Sequence, residues 1–479
     1  MSRRTVILCQ PRIGYMDEVR SAPALPLSLI HAASDLVREF DVRIVDTRLD
    51  SGWRKDLASG AAARPLYVGI TTSTGPMIGH ALEIARIVRS VDATIPIVWG
   101  GTHPTMLPAQ TVAHPLVDAV VAGDGERPAA AMARRIAGGG SPSGIPGVMV
   151  KGDAAPAPSD QADDLDDYPP APFHLVDPRR YRPRYLGRSS TFFQSSRGCP
   201  HACRYCYNVF AHRRRWRAFS AARVVGQIAG LVREYGVQDI YFVDDNFFID
   251  IPRAMAIARG IGPLGCTWQV QGADLASVGR LSDDNLLKLY ESGLRRLTVG
   301  IESGSESMRR RLGKEGTVDE IAAMVGRLAP LGIIVFGSFI TNLPGETTRD
   351  LRDSVRLVER LHGTNPRFRN SPFYSYTPFP GTPMFEDAVK DGFTAPVSLD
   401  GWARFSYEGN TYIPNGAPPH SFIEGLYMTS LLNDRKIDDY SARRYLRLLA
   451  RLYRPVARFR MRHLWFGLMP ERYAARLWL

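Results

Sequence analysis

Short runs of Val, Ile and Leu alternate with amphipathic stretches through the first 136 residues of the chain. Thr5–Cys9, Val42–Asp46, Leu66–Thr72, Ile95–Trp99 and Asp118–Val121 read as strands that are apolar throughout rather than at every second position. Between them Leu25–Val37, Gly79–Val88 and Arg127–Ile136 carry helical patterns. Such strands are covered on both faces, so residues 1–136 are expected to form a doubly wound parallel sheet. The rhythm stops over 137–190, where three successive glycines, many prolines and the acidic stretch Asp160–Asp167 suggest a linker with one short hairpin at Gly147–Lys151. It returns over 191–391 with Phe192–Ser196, Ile240–Val243, Thr267–Gln271, Arg296–Gly300, Ile333–Ile340 and Arg369–Tyr376. Six strands spaced about 31 residues apart have the period of a βα repeat and predict a partial (βα)6 barrel, its site built from loops at the strand carboxyl ends. Residues 392–479 read as mainly helical. Their aromatic residues Trp402, Phe405, Tyr407 and Tyr412 suit either a core or the apolar wall of a substrate site.

Composition narrows the class. The 479 residues are 44% apolar and 23% charged, which fits a multidomain globular protein. No run approaches the roughly 18 apolar residues of a membrane span. The apolar stretch Thr5–Cys9 is too short for a signal peptide, so a cytoplasmic location is expected. Five cysteines, three of them within eight positions, argue against a secreted disulfide scaffold. A net charge of +12 suggests a polyanionic partner until it is located. Ten arginines against one glutamate over 441–479 carry most of it, so no nucleic-acid partner is expected. Arg444, Arg447, Arg451, Arg454 and Arg458 recur at 3-4-3-4 spacing beside Tyr445, Leu449, Leu452, Val456 and Phe459. That is a basic amphipathic helix containing Pro455, which either docks on the barrel with a solvated arginine face or lies on a membrane surface.

Two regions carry candidate chemistry. In the first sheet, Thr71–Gly75, Gly100–Thr105 and Gly123–Glu126 place polar and small residues at strand ends, where such sheets bind ligands. Neither a Walker A motif nor a GxGxxG after a strand occurs. In the second region, Cys199, Cys203 and Cys206 stand in C-x3-C-x2-C directly after the first barrel strand. Three thiolates on one loop are soft ligands for an iron–sulfur cluster or for zinc. Zinc would want a fourth ligand; His201 is the candidate, awkwardly placed inside the loop. Three ligands on a [4Fe–4S] cluster leave one iron open. Cys9 and Cys266 read as buried thiols.

With Tyr205 as its aromatic residue, the cysteine segment resembles the cluster motif of the radical S-adenosylmethionine (radical SAM) superfamily. Tyr241–Phe247 with its paired acids, Val299–Gly304, Leu343–Thr347 and Tyr376–Thr382 resemble successive strand ends of the same family. The resemblance implies that the open iron binds the methionine moiety of S-adenosylmethionine and that one electron cleaves its sulfonium, giving methionine and a 5′-deoxyadenosyl radical. It assigns Tyr205, Asp245, Glu302 and Ser303 to that molecule. Two departures stand out: Gly272 on the third strand where an arginine is expected, and Asn342 where relatives usually carry glycine. Residues 1–136 resemble the cobalamin-binding domain of one branch. The resemblance brings Thr72, Thr74, Gly100, Gly101, His103, Thr105, Gly123, Gly125 and Glu126 toward the corrin, with Asp124 where relatives usually carry Glu. No D-x-H-x-x-G motif occurs, so cobalamin without histidine ligation is expected. The implied activity is a cobalamin-dependent methyltransferase acting at an unactivated carbon of a small-molecule or lipid-like biosynthetic intermediate. The alternative is a cyclisation or oxidative rearrangement without net methylation. A non-catalytic cofactor-binding sensor is the remote one. An external one-electron reductant of the flavodoxin or ferredoxin type is implied as partner. No residue is marked as a catalytic proton donor.

Overall fold

The computed structural model describes residues 3–14, 17, 22–157, 159–185, 188–405, 412–433, 444–467 and 469. The chain divides into two compact units, Met1–Pro183 with Ala395–Thr411, and Arg184–Thr394 with Tyr412–Leu479.

The first unit is built on β1 (Thr5–Gln10), β2 (Asp41–Asp46), β3 (Val68–Thr71), β4 (Ile97–Gly100), β5 (Ala119–Val121) and β6 (Val148–Val150) in the order β2-β1-β3-β4-β5-β6. The first five strands run parallel, as their unbroken apolar runs require. Leu27–Leu36 packs with Glu126–Ala137, and Trp53–Ala62 with Pro76–Val91. The chain steps from β1 first to β2 and then back past it to β3. The winding therefore reverses between β1 and β3, the position at which such sheets open a crevice at their carboxyl ends. Cys9 and Cys266 are both buried.

Residues 137–190 are not a free linker. Val148–Val150 pairs antiparallel with β5. The expected hairpin closes on Ala157, whose N–H donates to the Val148 carbonyl at 3.1 Å while Gly147 N donates to the Ala157 carbonyl at 3.0 Å. Ala395–Thr411 also belongs to this unit: the helix Leu399–Ala403 packs on Pro76–Val91.

The second unit holds β7 (Arg184–Tyr185), β8 (Arg188–Phe193), β9 (Ser196–Arg197), β10 (Arg217–Ala218), β11 (Asp239–Phe242), β12 (Thr267–Ala273), β13 (Leu294–Glu302), β14 (Ile334–Thr341) and β15 (Phe368–Ser375). Its main sheet runs β15-β14-β13-β12-β11-β8-β7. The six strands from β8 to β15 in that sheet are parallel, and β7 is an antiparallel edge. This is an open half-barrel. The small β9–β10 ladder brackets the cysteine segment. Among the described residues no helix is long and apolar enough to cross a membrane.

Candidate active site

The cysteine loop is held from beneath by paired acids at the end of β11. Asp244 is buried and accepts from Ser195 N at 2.7 Å and from the hydroxyls of Ser195 and Ser196, both at 2.6 Å. Burial pushes its carboxyl up despite the opposing Arg253 charge and these hydrogen bonds. Asp245 accepts from Gly198 N at 2.8 Å and from the Tyr207 hydroxyl at 3.0 Å. Both acids thus fix the backbone on which Cys199, Cys203 and Cys206 sit.

The three thiols are half-buried and unpaired. Burial pushes Cys199 up to about 11 and Cys206 up to about 12, and raises Cys203 as well. Among the described residues no three His, Cys, Asp or Glu side chains converge tightly enough to hold a single ion. A tetrahedral zinc would need thiolates at about 2.3 Å from one centre. His201 is not free to complete such a set: its Nε2 lies 3.3 Å from Asp274 Oδ2. That pairing raises the His201 imidazole. Burial works against it at Asp274, but the hydrogen bonds from His201 and Ser277 hold this carboxyl well below the usual range. Asn246 bridges the groups, donating through Nδ2 to Asp274 and lying 3.9 Å from Cys199 Sγ. Three half-buried thiols on one loop, with His201 beside Asp274, fit a [4Fe–4S] cluster better than zinc.

Facing this loop, Glu302 ends β13 in a left-handed conformation, φ 68°, which for a non-glycine residue stores strain. Buried Arg309 fixes the turn by donating to the Ile301 carbonyl at 2.6 Å. The result is a carboxylate that accepts from the Tyr205 hydroxyl at 2.8 Å and lies 3.9 Å from Lys314 Nζ. Tyr205 and Glu302, predicted separately, are therefore brought together. Ser303 is fully buried, and its hydroxyl lies 3.2 Å from Ser354 Oγ.

The two departures from the family pattern have structural reasons. A Cβ at Gly272 would lie 2.0 Å from the Asp244 carbonyl oxygen and 2.5 Å from that of Asp245, so no arginine can stand there. Lys314, which sequence reasoning passed over, supplies a cation beside Glu302 instead. One signal was available, since it is one of only six lysines in an arginine-dominated chain. Asn342 has φ 62°, a conformation that glycine adopts freely and asparagine tolerates. Its Nδ2 donates to Ser375 Oγ at 3.1 Å and to the Tyr412 carbonyl at 2.8 Å.

In the first unit the three strand ends form a separate cradle. Thr74 Oγ1 lies 3.0 Å from His103 Nδ1, Thr105 Oγ1 donates to the Gly101 carbonyl at 2.7 Å, and Gly123 N donates to Thr105 Oγ1 at 3.0 Å. Gly101 has φ 98°, and a Cβ there would meet the Thr72 carbonyl at 2.5 Å. Thr74, Gly100, Gly101, Thr105, Gly123 and Gly125 remain partly accessible, whereas Thr72, His103 and Glu126 are sealed beneath them. Burial lowers His103 to about 4, so it is neutral. Its Nε2 has no hydrogen-bond partner, a buried polar atom left for a ligand or water to satisfy. Asp124 is committed to the Tyr168 hydroxyl at 3.1 Å. Small residues, hydroxyls and an orphaned nitrogen at one sheet end fit an amide-rimmed corrin.

Of the aromatic residues expected at a substrate wall, Trp402 and Phe405 are core residues of the first unit, with Trp402 6.0 Å from His103 between ring centres. Tyr412 packs in the second unit and donates to Asp391 at 2.9 Å. Tyr407 lies outside the described residues. A cleft of about 850 Å³ is lined by Arg310, Arg311, Arg349, Arg356 and Asp350 and by none of the cysteines.

Comparison with known families agrees with both sites. The radical SAM superfamily model matches residues 193–358, and the B12 binding domain model matches 22–133. The chain carries a radical SAM domain and a B12-binding domain. It is 26% identical over 413 residues to an uncharacterized methyltransferase of Pyrococcus horikoshii, covering 84% of this chain and 86% of that one. It is 24% identical over 375 residues to the cytidylyl-2-hydroxyethylphosphonate methyltransferase of Streptomyces wedmorensis, covering 69% and 68%. It is 25% identical over 335 residues to the anaerobic magnesium-protoporphyrin IX monomethyl ester cyclase of Rubrivivax gelatinosus, covering 68% and 58%. Its fold matches the radical SAM methyltransferase TsrM of Kitasatospora setae, solved with cobalamin and a [4Fe–4S] cluster. The TM-score is 0.69 at 22% identity, over 88% of this chain and 85% of that one. This radical SAM enzyme accordingly uses a [4Fe–4S] cluster, S-adenosylmethionine and cobalamin.

Proposed function

We propose that the enzyme methylates an unactivated carbon of a small-molecule or lipid-like intermediate. The observation that carries the reading is one chain with both a cysteine loop braced at the end of a half-barrel and an intact corrin cradle. When bound, the cluster supplies the electron that cleaves S-adenosylmethionine, and the cobalamin supplies a transferable methyl group.

In this reading Cys199, Cys203 and Cys206 hold the cluster, and Asp244 and Asp245 are positioning residues for their loop. Glu302 and Tyr205 meet S-adenosylmethionine, with the Glu302 carboxylate accepting from its ammonium. Lys314 is the cation available to its carboxylate, a role Gly272 cannot fill. Thr74, Gly100, Gly101, Thr105, Gly123 and Gly125 line the corrin, while Thr72, His103 and Glu126 support those loops. An external flavodoxin- or ferredoxin-type carrier supplies the electron.

Product accounting tests the proposal. Methyl transfer consumes two S-adenosylmethionines per product and yields one S-adenosylhomocysteine and one 5′-deoxyadenosine. A cyclase of the kind found among the relatives would give 5′-deoxyadenosine without matching S-adenosylhomocysteine.

A further inference from the structure

The helix Arg444–His463 turns three unlike faces to its surroundings. Ala450, Ala457 and Met461 are almost wholly buried, and Ala450 and Ala457 pack with Leu432 of the helix His420–Asn433. On the other side Leu448, Leu452, Val456 and Phe459 are 59%, 69%, 43% and 55% exposed. At about 100° per residue these four share an arc of roughly 80°, opposite the docked alanines. Arg451, Arg458 and Arg462 are exposed along the flank between the two arcs. Arg458 Nε donates to Asn433 Oδ1 at 3.4 Å, and Arg462 Nε lies 3.7 Å from Glu359 Oε1. Trp465, nearly half exposed, follows at the helix end. Side chains of 444–447 and 449 lie outside those described.

Among the described side chains the helix docks through Ala450, Ala457 and Met461 and leaves Leu448, Leu452, Val456 and Phe459 facing outward. An exposed apolar arc flanked by arginines is the arrangement of a helix lying in a membrane interface, where long basic side chains reach the headgroups while apolar ones enter the acyl boundary. We propose that this face seats the enzyme on an anionic lipid surface. The charge argues for lipid over a second copy: two such faces would bring like-charged arginine flanks together, whereas acidic headgroups match them. The helix is too charged to span a bilayer and lies along its surface. This inference concerns where the enzyme works and is independent of the chemistry proposed above.

The test is co-sedimentation of the full-length, cofactor-loaded enzyme with vesicles of phosphatidylglycerol and phosphatidylcholine, and with vesicles of phosphatidylcholine alone. Wild-type enzyme is expected to pellet with the anionic vesicles at low salt, to release as ionic strength rises, and to stay in solution with the neutral ones. Leu452→Ser/Phe459→Ser, charge-neutral changes at two exposed positions, is expected to lower the bound fraction at least tenfold while reductive cleavage of S-adenosylmethionine is unchanged. Failure of the wild type to pellet at low salt would overturn the proposal. So would a double variant that binds as wild type, since charge alone would then be responsible. A wild-type dimer converted to monomer by the double substitution, without vesicle binding in either, would assign the face to a second copy instead.

Discussion

A Cβ at Gly272 would lie 2.0 Å from the carbonyl oxygen of Asp244. This contact joins the third barrel strand to the cysteine loop, because Asp244 and its neighbour Asp245 hold Ser195, Ser196 and Gly198. Gly272→Ala must therefore push the acid pair aside. A steric insertion of this kind costs about 1–3 kcal/mol. Iron content after anaerobic reconstitution should fall sharply while far-ultraviolet circular dichroism stays near wild type. Wild-type iron loading in Gly272→Ala would show that the acid pair does not brace the loop.

The cluster assignment separates the cysteines from the histidine among them. Reconstituted enzyme should bind about four irons at the cysteine loop. The triple Cys199→Ala/Cys203→Ala/Cys206→Ala variant should lose both the iron and S-adenosylmethionine cleavage. His201→Ala should keep its iron, because His201 is engaged with Asp274 at 3.3 Å. Loss of metal in His201→Ala, with zinc found in the wild type by elemental analysis, would restore the zinc reading.

Glu346 gives a pH signature. Burial pushes its carboxyl up to about 8, against hydrogen bonds from Thr341, Asn342 and Leu343 that favour the anion. The folded chain thus keeps a proton that the unfolded chain, with its ordinary carboxyl near 4.5, releases. Stability from this group is whole below about pH 4.5 and is lost as pH rises through about pH 8. The Tm of the half-barrel transition should decline across that window, and Glu346→Gln should flatten the decline. An identical pH slope in wild type and Glu346→Gln would contradict the assignment.

Cobalamin should bind without a histidine on cobalt. His103 is fully buried beneath the cradle, with Nδ1 3.0 Å from Thr74 Oγ1, and it stands outside any D-x-H-x-x-G motif. Electron paramagnetic resonance of the Co(II) enzyme should lack nitrogen splitting from a protein ligand, and His103→Ala should leave the spectrum unchanged. Splitting present in wild type and lost in His103→Ala would make His103 a ligand.

The strands of both sheets were legible because a strand buried on two faces is apolar throughout: each of Val68–Thr71, Asp239–Phe242 and Ile334–Thr341 lies within or beside a run visible in the sequence. The cysteine loop was legible from spacing alone. Less visible were features that depend on distant parts of the chain. Val148–Val150 is a strand only because β5 offers an edge, and Ala395–Thr411 returns to the first unit through packing that no local pattern encodes. The contact of the Ser303 hydroxyl with Ser354, fifty-one residues away, is likewise invisible to local sequence. Lys314 acquires its place only once the turn after β13 folds it beside Glu302. The apolar stripe of the tail was legible, but its outward orientation was not, since small docking residues such as Ala450 and Ala457 carry little sequence signal.

Methyl transfer is the central claim, and isotope labelling meets it most directly. The reconstituted enzyme, given its substrate and S-adenosylmethionine bearing a CD₃ group, should release a product heavier by one methyl that retains all three deuteriums, with S-adenosylhomocysteine and 5′-deoxyadenosine in equal amounts. A product of unchanged carbon count, with deuterium absent and no S-adenosylhomocysteine above background, would contradict it.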